Sequence, residues 1–306
     1  MAEITAKMVS QLREETGAGM MDCKKALTEA NGDLEEARTI LRKKGAAKAG
    51  QKSETRTASE GITDAYVSES GSVGVLLELN SETDFVARNE AFHELAHELA
   101  RLIGMAGAPF ASVDDFLASP AGEGKTVAEL VTESISRLGE KIAVARFSRF
   151  DAPTARGAVG AYIHRTDYKT GVLVEIASDK EIASLDALTQ LAKDVAMHVA
   201  AARPQYLNPE DVPADLLEKE REIARAKQDA DPSFANKPEA AKTAMIEGQV
   251  RKYLEQAVLV EQGFVRDPSG KLKIKSLVAD AGKSCGAGLK IVRFARFRVG
   301  ESSANG

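Results

Sequence analysis

The 306-residue chain is poor in three features that mark particular classes of protein: cysteine, excess positive charge and long apolar runs. Its two cysteines, Cys23 and Cys285, are too few for a disulfide framework, which favours a reducing cytoplasm. The net charge of -5 argues against a dedicated nucleic-acid-binding protein, which usually carries a basic excess. No apolar run reaches the roughly 20 residues that span a bilayer, and the first residues lack the basic and apolar regions of a signal peptide. We therefore expect a cytoplasmic protein without membrane or direct nucleic-acid contacts.

The first 45 residues have the pattern of a three-helix bundle. Thr5 can cap a first helix, Gly17 breaks it, a second helix covers about 21–30, and a third runs from Asp33 to Gly45. The expected core of this unit is apolar: Ala26, Leu27, Leu34, Ala37, Ile40 and Leu41. Residues 46–60 are rich in Ala, Gly, Lys, Ser and Thr, a composition typical of a linker. Basic residues over 42–56 are solvated charges or, alternatively, a surface for RNA or an acidic partner.

An internal repeat follows the linker and divides the rest of the chain into two halves. The hairpin around Tyr66 and Gly74 recurs around Tyr162 and Gly171, offset by 96 and 97 residues, and a helical pattern follows each hairpin, over 92–103 and 185–201. The ends of the halves also match, but at offsets of 147 and 149, as in Val127 against Ile274. The difference between 97 and 147 predicts an insertion of 50 residues in the second half.

The insertion falls between about 206 and 263, where two charged helical patterns flank a break at 229–233 and predict an antiparallel helical hairpin. The expected fold is α+β, with two related halves that each combine a small antiparallel sheet with helices. The predicted units are the bundle 1–45, the linker 46–60, half one 61–150, half two 151–205 with 264–300, the hairpin 206–263 and a tail 301–306.

A short loop between the first apolar strand and its helix is the main candidate for function. It carries Thr83, Asp84, Phe85 and Val86, so it can present a carboxylate and an aromatic ring together on a rigid mount. In the alternative interpretation, Asp84 caps the next helix and Phe85 packs beneath it.

One pattern points to enzyme chemistry. His93-Glu94-Leu95-Ala96-His97 fits H-E-x-x-H, in which two imidazoles on one helix face hold zinc and the glutamate acts as base. Ala100 departs from the longer metzincin pattern, and no third ligand is evident, so a zinc hydrolase is an alternative only. Gly124-Lys125-Thr126 and Gly282-Lys283-Ser284 lack the first glycine of a phosphate loop. We expect no cofactor and no bound metal.

Two long stretches, residues 12–27 and 83–89, resemble the signatures of the bacterial elongation factor Ts family, and the likeness runs from residue 1 to about 299. The resemblance implies a guanine nucleotide exchange factor for elongation factor Tu, one that makes and breaks no covalent bond. It also implies a ubiquitin-associated-type N-terminal bundle and a helical hairpin inside the second half.

The resemblance further implies which residues contact elongation factor Tu in its GDP-bound and nucleotide-free forms. Thr83, Asp84, Phe85 and Val86 would displace Mg²⁺ from its nucleotide site, and Met20, Lys24 and His164 would make further contacts. The alternatives are that Met20 fills the core, that Lys24 is a solvated charge, and that His164 is a histidine with a hydrogen-bond partner inside the protein or one exposed to solvent.

Several matters stay open at the level of the sequence. Without the resemblance, the sequence does not distinguish a nucleotide exchange factor from a structural or RNA-associated protein. It leaves open a homodimer, a dimer of heterodimers and a crosslink through Cys23 or Cys285. The tail after residue 299 is shorter and more polar than in family members that end in a further partner-binding helix.

Overall fold

The computed structural model describes residues 4–182, 185–231 and 237–301, with the backbone alone for 45–55. It begins with the predicted three helices, α1 (Ala6–Thr16), α2 (Met20–Glu29) and α3 (Leu34–Thr55). Thr5 caps α1 by accepting a 3.3 Å hydrogen bond from the Met8 amide, and Gly17 ends it with a φ of 64°. The small core contains the predicted Ala26, Leu27 and Ala37, joined by Val9, Leu12, Cys23 and Ala30.

The third helix is longer than the sequence indicated. It was expected to stop at Gly45, but α3 continues through ten residues of the predicted linker to Thr55. Alanine, lysine, glutamine and glutamate favour helix, and their summed propensity outweighs two internal glycines. The helix also packs against a helix of the first half, with an Arg42–Glu129 ion pair of 2.7 Å. The predicted end of the third helix at Gly45 is therefore wrong, and residues 46–55 are helical.

Two three-stranded antiparallel sheets follow, and the chain forms them in the same way twice. The first half contains β1 (Glu60–Val67), β2 (Val73–Ser81), α4 (Asp84–Ala87), α5 (Glu90–Met105), α6 (Val113–Ala118), β3 (Pro120–Gly122), β4 (Lys125–Thr126), α7 (Val127–Leu138) and β5 (Ile142–Asp151). The second contains β6 (Gly157–Ile163), β7 (Thr170–Ser178), α8 (Asp186–Ala202), α9 (Ala214–Asp229), α10 (Glu239–Ala257), α11 (Ile274–Cys285) and β8 (Leu289–Arg298). The strand orders are β1-β2-β5 and β6-β7-β8. The α+β class and the repeat are thus confirmed.

The boundaries of the predicted units remain a prediction, but the hairpin elements lie where the insertion was placed. Helices α9 and α10 contact each other within residues 206–263. Part of the predicted break at 229–233 lies outside the described residues, which omit 232–236. The predicted tail, 301–306, lies outside them except for residue 301. Within the described ranges, no helix combines the length and apolar character that crossing a bilayer requires.

The two sheets pack face to face, and helices cover their outer faces. In β2, Val75, Leu77 and Leu79 face the helices of the first half, whereas Leu76 faces the other sheet. Strand β7 repeats this pattern at an offset of 97, with Leu173 on the inner face. Both central strands are therefore buried on two sides, which explains their nearly continuous apolar sequences. The result is four layers: helices, sheet, sheet, helices.

Two equivalent glycines allow the sheets to approach closely. A Cβ atom added to Gly171 would lie 2.6 Å from Leu76 Cδ1 and 2.9 Å from Thr63 Oγ1. A Cβ atom on Gly74 would lie 3.0 Å from Val159 Cβ and would overlap its Cγ1 methyl group. Side-chain volume is therefore excluded at both positions by the opposite sheet.

A buried histidine fixes the exit of the helical hairpin. His198 on α8 accepts a 3.2 Å hydrogen bond at Nδ1 from the Val265 amide, so its proton is on Nε2, which donates to Gln262 Oε1 at 2.9 Å. Burial lowers the pKa of His198, and the bond to Gln262 partly opposes this shift. The neutral imidazole is the form that these contacts require.

We predict that Gly74→Ala lowers the free energy of unfolding by about 1–3 kcal/mol, the usual cost of overpacking a close-packed core. Because the contact is with the β-carbon of Val159, rotation of that side chain cannot relieve it and the sheets must shift. Urea unfolding measures the change. Gly107→Ala is the matched control, since an added Cβ there has no atom within 4 Å. Equal stability of the two variants would contradict the close approach.

We also predict that stability falls as the pH drops from 7.5 to 5.5, in part through His198. Its folded-state pKa lies below the ordinary value near 6.5, so the unfolded chain binds the proton first, and the contribution is complete above 6.5 and lost below it. Urea unfolding at both pH values should show a smaller fall for His198→Gln than for the parent. His164→Gln, which removes an exposed imidazole, should retain the parent's fall. A parent-like fall in His198→Gln would contradict the assignment.

Candidate functional site

A projecting turn between β2 and α5 presents the most exposed aromatic side chain of the described residues. Helix α4 has four residues; Thr83 caps it by accepting from the Val86 amide at 3.4 Å. Val86 and Ala87 pack into the core of the first half, whereas the Phe85 side chain is 82% exposed. Val86 thus anchors the turn from below. Residues 83–86 are hereafter called the tip.

The alternative interpretation of this loop is wrong on both counts. Phe85 does not pack beneath the following helix, and the cap of α5 is Asn89, whose Oδ1 accepts from the Ala91 amide at 2.9 Å. Asp84 instead opens α4 and forms a 3.0 Å ion pair with Arg88. The Asp84 carboxylate is 45% exposed, so the tip offers an acid and a ring to solvent together.

The base of the tip is held by carboxylates that sequence reasoning did not single out. Glu82 accepts a 2.6 Å hydrogen bond from the Lys141 amide and forms a 3.0 Å ion pair with Arg56, just beyond the end of α3. Glu140 accepts from both the amide and the hydroxyl of Thr83. These contacts join segments 26 to 59 residues apart, so local sequence patterns carry no signal of them.

The second half contains an equivalent loop, but its side chain at the position of Phe85 is packed inward. At the offset of 97 that relates β2 to β7, Glu82 matches Asp179 and Phe85 matches Ile182. Ile182 packs against the core of its own half, and its amide donates to the Ala155 carbonyl at 3.0 Å. The repeat therefore provides the same strand end twice, but an exposed ring follows it only in the first half.

The other two predicted contact regions lie on separate elements. Met20 and Lys24 are on α2, where Met20 is 58% exposed and Lys24 is also exposed. The interpretation of Met20 as a core filler is therefore wrong. With the neighbouring Met21, at 65% exposure, Met20 forms an apolar patch at the beginning of α2, next to the charge of Lys24.

His164 follows β6 and lines a cleft of about 750 Å³ between the two halves. It is exposed and makes a 3.2 Å hydrogen bond through Nδ1 with the Tyr162 hydroxyl. Across the cleft, Asp64 lies 3.3 Å from His97 Nδ1. Burial raises the pKa of the Asp64 carboxyl, although the Ala65 amide and His97 oppose the shift. The cleft thus combines hydrogen-bonding groups with apolar side chains.

The two histidines of the H-E-x-x-H pattern contact different side chains. The His93 ring packs edge-on against Tyr168, with centroids 4.6 Å apart, whereas His97 pairs with Asp64. In the part of the chain that the structure describes, no group of three His, Cys, Asp or Glu side chains is arranged to hold a metal ion. The pattern lies on α5, whose buried face contains Phe92, Leu95, Ala96, Leu99 and Ile103.

Three side chains of the basic stretch 42–56 are paired within the molecule. Arg42 contacts Glu129, Lys44 contacts Glu29 and Arg56 contacts Glu82. The side chains of 45–55 lie outside the described residues. These pairs connect the stretch to the bundle and to the first half.

Comparison with known proteins identifies the family. Residues 82–301 match the family model described as Elongation factor TS. The chain is 43% identical to the elongation factor Ts of Nostoc punctiforme, over 98% of this chain and 94% of that protein. It is 44% identical to those of Syntrophotalea carbinolica and Clostridium perfringens, over 98% and 97% of this chain and 94% and 93% of theirs. An exposed acid and ring on a rigid strand end, in a duplicated core with an N-terminal bundle, thus occur in a chain that belongs to the elongation factor Ts family.

Proposed function

We propose that this chain binds elongation factor Tu in the cytoplasm and accelerates the release of its GDP without covalent chemistry. The observation that carries the proposal is the tip, where an 82% exposed phenylalanine adjoins an exposed carboxylate on an anchored turn. A large exposed aromatic side chain is a common anchor of protein interfaces.

The tip acts on the site that holds the nucleotide. GDP in such GTPases is bound through phosphate-loop amides and a Mg²⁺ ion that neutralises phosphate charge. Phe85 inserts between structural elements of the partner and moves them, and the Asp84 carboxylate disturbs the ligands or waters of the ion. Loss of the ion leaves phosphate charge uncompensated, so the affinity for GDP falls.

Two further surfaces supply binding energy for this distortion. The apolar patch at Met20 with Lys24 docks on the nucleotide-binding part of the partner, and the cleft around His164 contacts another part. Three separate surfaces allow the factor to hold its partner while the tip changes the nucleotide site.

The exchange cycle follows from the reciprocity of coupling. If the factor weakens the affinity for nucleotide, nucleotide weakens the affinity for the factor by the same ratio. Entering GTP therefore expels the factor and completes the exchange.

We expect Phe85→Ala and Asp84→Ala each to slow GDP release, the former by about 30-fold at saturating factor, the size of a strong interface anchor. Release of fluorescent GDP from elongation factor Tu, followed by stopped flow, measures the rate. Folding should be unaffected because both side chains are exposed. Met105→Ala, which removes another exposed apolar side chain, is the control. If both tip variants match the parent, the tip is not the element that drives release.

Lys24→Glu should weaken binding of the factor without a comparable loss of its maximal rate. A contact made equally before and during release changes the half-saturating concentration rather than the rate at saturation. Titration of the factor against a fixed amount of partner separates the two quantities. The matched control is Lys25→Glu, an exposed lysine one position along α2. An equal effect of both variants would show a general charge effect instead of a contact of Lys24.

A further inference from the structure

Glu140 lies in the turn between α7 and β5 and holds the base of the tip with both carboxylate oxygens. The Thr83 amide donates to Oε2 at 3.0 Å, and the Thr83 hydroxyl donates to Oε1 at 2.7 Å. The two residues are 57 positions apart and come together only because β5 pairs with β2.

The direction of these hydrogen bonds determines how Thr83 caps the tip. The hydroxyl proton points to Glu140, so the lone pairs of Oγ1 are available to accept from the Val86 amide at 3.4 Å. Without the carboxylate, that hydroxyl can turn its proton toward another acceptor and cease to cap. Glu140 thus orients the Thr83 hydroxyl, which caps the helical turn that contains Phe85.

A single helical turn does not hold its own shape in water, because nucleation costs more than one hydrogen bond returns. Helix α4 has only four residues, with Val86 and Ala87 as its buried anchors on one side. A change in the backbone conformation at Thr83 would therefore move the Phe85 side chain relative to the buried Val86 and Ala87. The contact with Glu140 restrains the side that the core does not reach.

The second half provides an internal control for this assignment. There Asp179 accepts from the Gly288 amide at 2.9 Å, as Glu82 accepts from the Lys141 amide at 2.6 Å, so this contact is common to both halves. The turns after α7 and α11 both begin with a glycine of positive φ, Gly139 and Gly286, and the next residue is Glu140 in one and Ala287 in the other. The carboxylate is present only in the half whose loop exposes a ring.

We propose that Glu140 is a positioning residue, which acts through Thr83 to hold Phe85 in the orientation that drives nucleotide release. The inference rests on the proposed function. It assigns to Glu140 an effect on the maximal rate of release rather than on affinity.

The first measurement is GDP release at saturating factor. Glu140→Gln should lower the maximal rate about tenfold, the scale of one hydrogen bond to a charged group, with little change in the half-saturating concentration. Thr83→Val should give a similar loss, and the double variant should be no slower than either single variant, since both remove one unit. Glu133→Gln is the control, because Glu133, on α7, is also partly buried and pairs with Lys125 of β4.

The second measurement needs no partner. Hydrogen exchange of the Ala87 and Arg88 amides, which donate to Thr83 and Asp84 carbonyls, should become faster in Glu140→Gln and stay unchanged in Glu133→Gln. If exchange also rises across β2 and β5, Glu140 stabilises the half as a whole and the inference is overturned.

The two proposals fail in distinguishable ways. A parent protein that does not accelerate GDP release refutes the proposed function, and exchange at Ala87 and Arg88 then decides whether Glu140 holds the tip. An active parent with an equally active Glu140→Gln overturns the assignment of Glu140 alone. Additive losses in the double variant overturn it as well, because Glu140 would then act by a route other than Thr83.

Discussion

Two reciprocal contacts between the sheets fix the relative position of the halves. Glu78 is buried and pairs with Arg146 of its own sheet at 2.8 Å, and the guanidinium carbon of Arg146 lies 4.4 Å from the ring centre of Phe297 in the other sheet. The repeat supplies the reverse contact, in which Glu175 pairs with Arg293 at 2.6 Å and Arg293 lies 4.2 Å from the ring of Phe150. A buried carboxylate is costly without an opposite charge, so each glutamate holds its arginine in place. Each arginine in turn contacts an aromatic ring of the opposite sheet. The tip on the first half and His164 on the second are thereby held at one separation.

The two halves share one arrangement and differ in the loop that follows the central strand. Both have the same strand order, the same bulge after the buried glutamate, and the same acid that binds a turn amide. What differs is the residue that meets solvent: Phe85 projects, whereas Ile182 packs inward. An exposed ring loses the free energy of burial, about 2 kcal/mol for a large apolar side chain. The exposed Phe85 ring therefore contributes less to the stability of the first half than a buried one would. Its exposure is consistent with a ring that is buried in a complex.

The sequence was most informative where periodicity and repetition coincide. The offsets of 97 and 147 predicted both hairpins, both following helices and the position of the inserted residues. The packing of the sheets was not foreseen, although apolar residues at successive positions of β2 and β7 are a signal of burial on both faces. The end of α3 was misplaced because Gly45 was interpreted as a stop, whereas the helix continues to Thr55. Glu140 was missed for a different reason: its contact with Thr83 depends on strand pairing and leaves no local pattern.

The tip is exposed, but contacts within the molecule support its base. If a loop becomes ordered only on binding, the entropy cost of ordering it reduces the binding free energy that can distort the partner. A loop that acts by such distortion is therefore more effective when it is already ordered in the free protein. Here the supports come from three directions: Val86 from the core, Glu140 from the turn after α7, and Glu82, which Arg56 links to the end of the bundle helix α3. Because α3 also contacts α7 through Arg42 and Glu129, the bundle and the tip share one framework. The bundle is therefore connected to the tip through packed elements rather than through a free linker.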